Sequence, residues 1–421
     1  MPAAVPTAPE ERLEAVDAIR GFALLGVFLV NMLFFATPMD LHFLRPFTEH
    51  PHPWLMRAVA CLVQGKSYTL FSFLFGLGFA LQMDRLERQG EGPARFRRRL
   101  AVLLGIGLVH GIFIWAGDIL AIYAVLGFLL LPFRKREDRT VLRWALALLG
   151  GLTLAMLAAG LLTLAFARLD PARATTAAAA QRSQIEAGIQ ASLQAYAHGP
   201  FAVLFRQRLR DLAHNYALTL ALSAHLFGMF LLGLWAGRKG VLRAPADHAP
   251  LLRWLSTWGL GLGLLLNLLY TWLMGGGMPG PLNPWGLVGM AFYLPGSSLL
   301  CLAYAAVILR TLTARPASLV RLMAGPGRMA LSCYLLHALL FTGIFNAYGL
   351  GLYGRVGLPA CLAMALGLWL ALIPICGGWL RRFRMGPAEW LWRSLTYGQR
   401  PPFLRAAPLP LDGSVSPLES R

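Results

Sequence analysis

The chain has 421 residues, of which 57% are hydrophobic and only 14% are charged. About a quarter of the residues in soluble globular proteins are charged, so this composition argues against a soluble enzyme and excludes a disordered chain. The formal net charge of +19 is typical either of nucleic-acid binding or of a membrane protein with basic cytoplasmic loops. The positions of the cations decide between the two.

Apolar segments long enough to cross a bilayer as helices recur along the sequence and predict an all-α, polytopic transmembrane helix bundle. The ten predicted spans cover roughly residues 19–36, 58–82, 100–116, 118–133, 142–167, 215–237, 252–274, 285–309, 329–349 and 357–380. The third and fourth are short, and only Gly117 and Asp118 separate them. We interpret them as a helical hairpin, because a hairpin places the basic clusters before and after it on one side of the membrane.

Sorting the 38 cations between the two sides of the membrane predicts the orientation. On the ten-span topology 28 of them lie on one side and nine on the other, while Lys66 lies within the second span. The positive-inside rule then places both termini in the cytoplasm. Topology thereby explains the net charge, and nucleic acid is not expected as a partner.

The same topology divides the chain into five segments. They are a cytoplasmic N-terminal segment (1–16), a first bundle of five spans (17–167), an outer loop of one or two amphipathic helices (168–214), a second bundle of five spans (215–398) and a Pro-rich, disordered cytoplasmic tail (399–421). The five cysteines lie in apolar stretches without CxxC spacing, so we interpret them as small buried side chains without a disulfide framework or a metal.

Polar side chains within the spans are costly and therefore mark candidate functional residues. They are Asn31, Lys66, His110, Asp118, His225, Asn267, His337 and Asn346. Counted at 1.5 Å per residue from the cytoplasmic cations, nearly all fall in the outer half of the membrane, with His337 near the midplane. This shared depth predicts a polar cavity that opens outward, although an interhelical hydrogen bond also explains a lone Asn or His.

Lys66 and its span allow further interpretations. Lys66 either snorkels to the outer headgroups or supplies a compact positive charge, in a chain with only three lysines. The small residues of the second span, which include Gly65, Ser72 and Gly76, form a stripe that predicts close packing against another helix.

The loop between the first two spans holds His42, His50 and His52. The surrounding prolines, and the lack of a supporting Cys or Glu-x-x-His pattern, argue against a metal site. A neutral histidine beside an outward cavity suits general-base chemistry, and an ordinary solvated loop histidine is the alternative.

Two groups of charged residues lie near the cytoplasmic face. Asp17 and Arg20 are three residues apart at the start of the first span and are expected to pair. A basic cluster follows the second span, at Arg95, Arg97, Arg98 and Arg99. The cluster serves topology alone or also contacts the phosphates of a cytosolic donor. Nucleotide hydrolysis and α/β-hydrolase chemistry have no support, because the sequence has neither the glycine-rich phosphate loops nor a GxSxG motif.

Several stretches of the sequence are distinctive. They are Asp17-Ala18-Ile19-Arg20-Gly21, Val30-Asn31-Met32, Gly65-Lys66-Ser67-Tyr68, His110-Gly111 ahead of Gly117-Asp118-Ile119-Leu120, Gly327-Arg328-Met329-Ala330 and Gly386-Pro387-Ala388-Glu389-Trp390. With their flanks they resemble the YeiB-like family of bacterial integral membrane proteins, a domain of unknown function. The resemblance covers most of the chain and implies a multi-pass protein of the bacterial inner membrane.

The first two spans are also remotely similar to transmembrane acyltransferases of the heparan-α-glucosaminide N-acetyltransferase type. In that family Asp-x-x-Arg-Gly opens the first helix, an Asn follows, and a loop histidine precedes Pro-Trp. The corresponding residues here are Asp17, Arg20, Gly21, Asn31, and either His52 or His50. The choice between the two histidines stays open, because the spacing before Pro-Trp differs by one residue.

This second resemblance implies an enzyme that uses cytosolic acyl-CoA, acetyl-CoA above all, to acylate a sugar, glycan or small-molecule acceptor on the outer face, without a metal. On this hypothesis His52 is the base, while Asn31 and Lys66 orient the acceptor or stabilise the oxyanion. The expected acceptor cavity is lined by His110, Asp118, His50, Asn267 and His337. The expected acyl-CoA contacts are Arg20, Arg95, Arg97, Arg98 and Arg99, whereas Asp17 and Gly21 are expected to be structural.

The alternative function is transport of a small polar or anionic solute through the same cavity, with Lys66 and His110 as ligand contacts. A structural partner in an envelope complex is a third hypothesis. The lipid bilayer is the expected environment, and the question of a homo-oligomer is left open.

Overall fold

The computed structural model describes residues 14–41, 51–90, 92–274, 283–315 and 319–405. Within these residues the chain is helical and contains no strand, only an isolated bridge between Phe383 and Leu404. The predicted all-α class is therefore confirmed.

The helices follow one another with short connections. The N-terminal half contains α1 (Glu14–Ala36), α2 (Pro53–Leu62), α3 (Lys66–Arg88), α4 (Gly92–Val109), α5 (Leu120–Leu130), α6 (Asp138–Leu169) and α7 (Pro171–His198). The C-terminal half contains α8 (Phe201–Ala221), α9 (Ser223–Arg238), α10 (Ala249–Trp254), α11 (Leu260–Leu273), α12 (Pro284–Ala314), α13 (Ala324–Arg328), α14 (Ala330–Phe345), α15 (Leu358–Arg382) and α16 (Pro387–Tyr397). A π-helical turn, His110–Ile114, extends α4, and a second, Leu255–Gly259, joins α10 to α11.

Six helical stretches of the described chain are long and apolar enough to cross a membrane. They are α1, α2 with α3, α6, α10 with α11, α12 and α15. The pairs α8–α9 and α13–α14 are bent by 59° and 78°, and counting each as one span raises the number to eight. The chain is thus a multi-pass membrane protein by length and composition. Ten spans are not confirmed, because α4 and α5 do not meet these criteria.

The predicted hairpin between α4 and α5 is present. Helical structure stops between Trp115 and Ile119, and the two helices pack against each other. Asp118 accepts hydrogen bonds from the backbone N–H groups of Leu120 (3.2 Å) and Ala121 (2.9 Å), which satisfies the free donors at the start of α5. The Asp118 carboxyl group therefore caps the N-terminus of α5.

The second predicted span is interrupted at residues 63–65, contrary to the continuous helix expected over 58–82. Gly65 has φ = 82°, a left-handed conformation that other residues rarely adopt. A Cβ at this position would also overlap the Tyr293 hydroxyl. The helix restarts at Lys66, which is the first residue of α3 and does not lie within a continuous helix.

The outer loop predicted over 168–214 consists of two helices, α7 and α8. Along α7 the buried residues Ile185, Ile189, Ser192 and Tyr196 recur at the three- and four-residue spacing of one helical face. The second helix, α8, runs on to Ala221, so the span predicted over 215–237 contains the bend between α8 and α9.

Helices α1 and α3 lie at the centre of the molecule. α1 packs against α3, α13, α14 and α15, and α3 packs most extensively against α9. At that contact a Cβ on Gly76 would overlap the carbonyl of Phe230, and one on Gly233 would overlap that of Phe73. The stripe of small residues thus brings two helix backbones together, as predicted. α6, by contrast, leaves most of its apolar side chains exposed, as expected of a lipid-facing helix.

Candidate functional site

A cavity of about 1390 Å³ runs between α1, α3 and their neighbours. Its wall follows α1 from Asp17 to Phe34 and α3 from Ser67 to Arg88. At 1.5 Å per residue these stretches extend about 26 Å and about 32 Å, which is close to the ~30 Å thickness of a bilayer hydrocarbon core. The cavity therefore reaches across the depth of the expected membrane.

One end of the cavity, which we call the arginine end, is strongly basic. Seven arginines of the described chain line it: Arg20, Arg85, Arg88, Arg99, Arg243, Arg328 and Arg393. Two of the acids on the same wall are already paired, Asp17 with Arg20 (3.3 Å) and Asp84 with Arg88 (2.9 Å). The excess of guanidinium groups suits a ligand that carries several phosphate charges.

Glu389 is a further acid at the arginine end, and it fastens α16 to the start of α14. It accepts hydrogen bonds from the backbone N–H groups of Leu331 (2.7 Å) and Ser332 (3.2 Å). Burial raises the pKa of this carboxyl group above its ordinary value of 4.5 even though these donors oppose the shift.

The rest of the cavity changes from apolar to polar with distance from the arginines. Its middle is lined by Leu24, Val27, Phe71, Leu74, Phe75 and Leu120. Its other end, which we call the polar end, is lined by Asn31, Gln64, Ser67, Tyr68, Asp118 and Asn215. The arrangement can hold a ligand with a charged head, a less polar arm and a reactive group near hydroxyl, amide and carboxyl groups.

A buried histidine–aspartate pair lies at the polar end. Nδ1 of His110 is 3.0 Å from Oδ1 of Asp118, and the two side chains are 1% and 0% exposed. Asp118 also accepts a hydrogen bond from the Tyr216 hydroxyl (3.2 Å) and contributes to the cavity wall. Nε2 of His110 has no hydrogen-bond partner within the described chain.

Lys66 and Asn267 were both predicted to act at the site, and the structure brings them together behind the cavity wall rather than on it. The Lys66 ammonium donates to the Asn267 side chain and to the carbonyl of Ala60 (2.9 Å). It also lies 5.0 Å from the centroid of the Tyr293 ring. The side chain is 2% exposed, so these contacts take the place of solvent.

The other predicted histidines lie elsewhere. His337 is fully buried and stacks on Phe28, with ring centroids 4.0 Å apart, inside an aromatic cluster that includes Phe35 and Phe341. His52 is half-buried at the N-terminus of α2 and is not part of the cavity wall. His50 lies outside the described residues.

The arginines predicted to contact acyl-CoA are divided between the cavity and the surface. Arg20 and Arg99 line the arginine end, and the Arg99 guanidinium lies 3.8 Å from the centroid of the Trp392 ring. Arg97 and Arg98 are exposed, and Arg95 lies over the Tyr397 ring. Gly21 lies where α1 meets the chain ahead of α13, because a Cβ there would overlap the carbonyl of Met323.

Sequence reasoning missed five arginines of the arginine end: Arg85, Arg88, Arg243, Arg328 and Arg393. Each lies at or beyond the end of a predicted span, where the positive-inside rule already accounted for it. A usable signal was present in two cases, because Arg328 lies within one distinctive C-terminal stretch and Arg393 in the flank of the other.

A second, small pocket of about 50 Å³ lies beside the polar end and shares Phe34, Met39, Trp115 and Gly117 with the cavity. Its charged residues are Asp40, Arg208, Asp211 and His214. Arg208 is 1% exposed, and its Nη2 has no partner within the described chain. Asp40 lies 3.7 Å from His214, and burial raises the pKa of its carboxyl group. Neither pocket holds a metal-ligand set, since no three His, Cys, Asp or Glu side chains cluster among the described residues.

Two family descriptions match this chain, each over part of its length. Residues 12–179 match the family described as heparan-alpha-glucosaminide N-acetyltransferase, catalytic, and residues 236–399 match the protein of unknown function DUF418. The first match covers α1, α3 and the His110–Asp118 pair, and the second covers α12, α14 and α16.

Whole-chain relatives come from several bacteria. The uncharacterized protein YxaH of Bacillus subtilis (strain 168) is 32% identical over 411 residues, which is 93% of this chain and 96% of the relative. YeiB of Escherichia coli (strain K12), also uncharacterized, is 29% identical over 409 residues, covering 92% and 96%. An uncharacterized 39.9 kDa protein of Bacillus acidopullulyticus is 27% identical over 410 residues, covering 95% and 98%. The chain therefore belongs to the YeiB-like (DUF418) family.

Proposed function

We propose that the chain is a membrane-embedded acyltransferase that takes an acyl group from cytosolic acyl-CoA and transfers it to a sugar- or glycan-type acceptor at the opposite face of the bacterial inner membrane. The observation that carries the proposal is the cavity that joins seven arginines to a cluster of polar groups across the depth of a bilayer. The match of residues 12–179 to a transmembrane acetyltransferase catalytic domain supports the same chemistry.

Each part of the cavity has a task in this reaction. The arginine end binds the phosphates of coenzyme A, because guanidinium groups form bidentate, charge-assisted hydrogen bonds with phosphate. The pantetheine arm lies along the apolar middle and brings the thioester to the polar end. There the Asn31 amide, which lines the polar end, donates to the oxyanion that forms on the carbonyl oxygen.

The direct test is acetyl-CoA binding by the purified full-length protein in detergent, measured by isothermal titration calorimetry. Arg99→Gln removes a guanidinium from the cavity wall, and Arg97→Gln is a matched control from the exposed face of the same helix. Loss of one charged hydrogen bond costs about 1.5–3 kcal/mol, so we expect Arg99→Gln to weaken binding roughly 10- to 100-fold. Arg97→Gln is expected to bind as the wild type does. An absence of acetyl-CoA binding by the wild type would contradict the proposal.

Transport of a small anionic solute is the second candidate, and the length of the cavity favours it equally. The two functions differ in what crosses the membrane. In proteoliposomes with acetyl-labelled acetyl-CoA at the arginine face and glucosamine inside, acyl transfer labels the glucosamine and leaves coenzyme A outside. A transporter would instead carry the intact molecule to the interior.

A further inference from the structure

Resting on the proposed function, we propose that His110 is the general base of acyl transfer and that Asp118 is its positioning residue. We call His110 and Asp118 the dyad. Both side chains are buried, and Asp118 lies on the wall of the cavity. The proposal assigns the proton transfer to a group 58 positions after the loop histidine that the sequence suggested.

The hydrogen bonds of the dyad orient the imidazole for this task. Asp118 is held by the N–H groups of Leu120 and Ala121 and by the Tyr216 hydroxyl, so three donors on two helices, α5 and α8, set its position. It accepts from Nδ1 of His110, which leaves Nε2 as the basic nitrogen of the neutral ring. Tyr216 and Asp118 therefore hold one tautomer of His110.

Nε2 of His110 is a buried polar atom without a partner in the described chain. Burying a polar group without a hydrogen bond is costly, and a catalytic role is one of the reasons for which such groups persist in native proteins. The backbone at His110 is also irregular, because His110 begins the π-helical turn that ends α4 ahead of Trp115. Single π-helical turns are frequent at functional sites.

His110 lies directly behind the part of the wall where the cavity and the small pocket meet. Its ring centroid is 5.0 Å from that of Tyr334 and 6.3 Å from that of Trp115. Tyr334 lines the cavity, and Trp115 lines both the cavity and the pocket. An acceptor that displaces one of these rings meets Nε2. Catalytic hydrogen bonds commonly form only in the complex with substrate. The position of His110 behind the cavity wall, rather than on it, therefore agrees with this role.

The small pocket beside the dyad offers polar groups to part of the acceptor. The small pocket combines the Arg208 guanidinium, whose Nη2 has no partner within the described chain, with the carboxyl groups of Asp40 and Asp211 and the aromatic ring of Trp115. Donors, acceptors and an aromatic wall together suit a polyhydroxylated ring. A sugar hydroxyl or amine held at this pocket would face the thioester across the Trp115 wall.

The chemical step balances with the dyad as the only acid–base group. Nε2 of His110 removes the proton from the acceptor hydroxyl or amine as its oxygen or nitrogen bonds to the acyl carbon. The C–S bond breaks as the tetrahedral intermediate collapses, and the electron pair leaves on the coenzyme A sulfur. The imidazolium then returns its proton to that thiolate, and the Asp118 carboxylate stabilises the imidazolium in between.

The test uses full-length protein in nanodiscs, acetyl-CoA as donor and glucosamine as probe acceptor, and it follows release of the coenzyme A thiol. We expect His110→Gln to bind acetyl-CoA as the wild type does and to lose about 100-fold or more in kcat, the usual contribution of a general base. The glutamine amide can still donate to Asp118, so the fold is retained. Thermal unfolding checks this.

Two control variants distinguish the dyad from other histidines. His225→Gln removes a histidine of equal burial that contacts Thr69 and has no carboxyl partner within the described chain. This variant is expected to keep kcat within about threefold. His52→Gln removes the loop histidine suggested by the sequence. If His52→Gln abolishes transfer while His110→Gln keeps the wild-type rate, the dyad is not the base.

The positioning role of Asp118 has its own readout. Asp118→Asn keeps one acceptor oxygen for an N–H group of α5 but loses the negative charge beside the imidazolium. We expect kcat to fall while KM for acetyl-CoA stays within about twofold, because the phosphates that anchor the donor bind at the arginine end, away from Asp118. A rise in the KM for acetyl-CoA as large as the fall in kcat would mean a structural defect and would overturn the assignment.

If wild-type protein binds no acetyl-CoA, the proposed function fails as a whole. If it binds but His110→Gln still transfers, the dyad alone fails.

Discussion

The Lys66 ammonium group is a cation buried within the helix bundle, out of contact with bulk water. An isolated cation in such surroundings is costly, and proteins hold one there by pairing it with side chains or backbone carbonyls. The three contacts of Lys66 connect α2, through the carbonyl of Ala60, with Asn267 of α11 and Tyr293 of α12. The lysine therefore ties together the helices on either side of the break at Gly65.

A double-mutant cycle tests this structural role. Lys66→Met leaves the Asn267 carbonyl oxygen without its donor, and Asn267→Leu leaves the ammonium with fewer partners. Each single change is expected to lower the free energy of unfolding by about 1–3 kcal/mol. Lys66→Met with Asn267→Leu removes both polar groups, so it should destabilise by less than the sum, with a coupling of about 0.5–3 kcal/mol in thermal or denaturant unfolding.

The same variants also separate structure from catalysis. If Lys66 and Asn267 have only a structural role, Lys66→Met and Asn267→Leu should show similar transfer rates per folded molecule. Loss of transfer in Lys66→Met alone would instead support the catalytic role that the sequence suggested.

At the scale of the elements, the contact between α3 and α9 sets the position of the cavity wall. The two backbones meet at Gly76 and Gly233, where a methyl group would overlap a carbonyl oxygen of the facing helix. Only a shift of one helix can relieve such an overlap, because backbone atoms cannot rotate away as a side chain does.

Gly76→Ala is therefore expected to lower the free energy of unfolding by about 1–3 kcal/mol. Gly150→Ala is the matched control, since Gly150 of α6 has nothing within 4 Å of the added methyl group. It should leave stability unchanged or raise it by up to about 1 kcal/mol, because alanine favours the helix more than glycine does. Unfolding followed by tryptophan fluorescence compares the two, and equal stability in both variants would refute the close contact.

At the scale of the whole molecule, the orientation in the membrane decides which ligand can reach the arginine end. The start of α1 and the whole of α16 lie at that end, whereas α7 and the small pocket lie at the other. Acyl-CoA is a cytosolic metabolite, so the proposed function requires the arginine end to face the cytoplasm.

Reporter fusions measure this orientation. We expect alkaline phosphatase to be active when fused after Asp170, between α6 and α7, and inactive when fused after Gly398. Green fluorescent protein should give the opposite pattern. An active phosphatase after Gly398 would place the arginines outside and would exclude cytosolic acyl-CoA as their ligand.

The sequence by itself determined the helical class, the presence of several membrane spans, the hairpin at Asp118 and the family. All of these depend on local properties, namely the length and hydropathy of segments, helix breakers and short motifs, which can be read without knowing what packs against what. The count of ten spans stays unconfirmed, because hydropathy along the sequence does not show where a helix ends, as at the 11-residue α5, or bends, as between α8 and α9.

Only the tertiary structure decided which polar residues meet. We predicted that His110, Lys66 and His337 line one cavity because they lie at similar depths in the membrane. Depth does not show the direction in which a side chain points from its helix. The packing of α3 turns Lys66 toward Asn267, α1 covers His337 with Phe28, and the loop before α5 brings Asp118 to His110. Arginines that are distant in sequence converge at one end of the cavity because α1, α3, α4 and α16 end there, and that convergence follows from the fold alone.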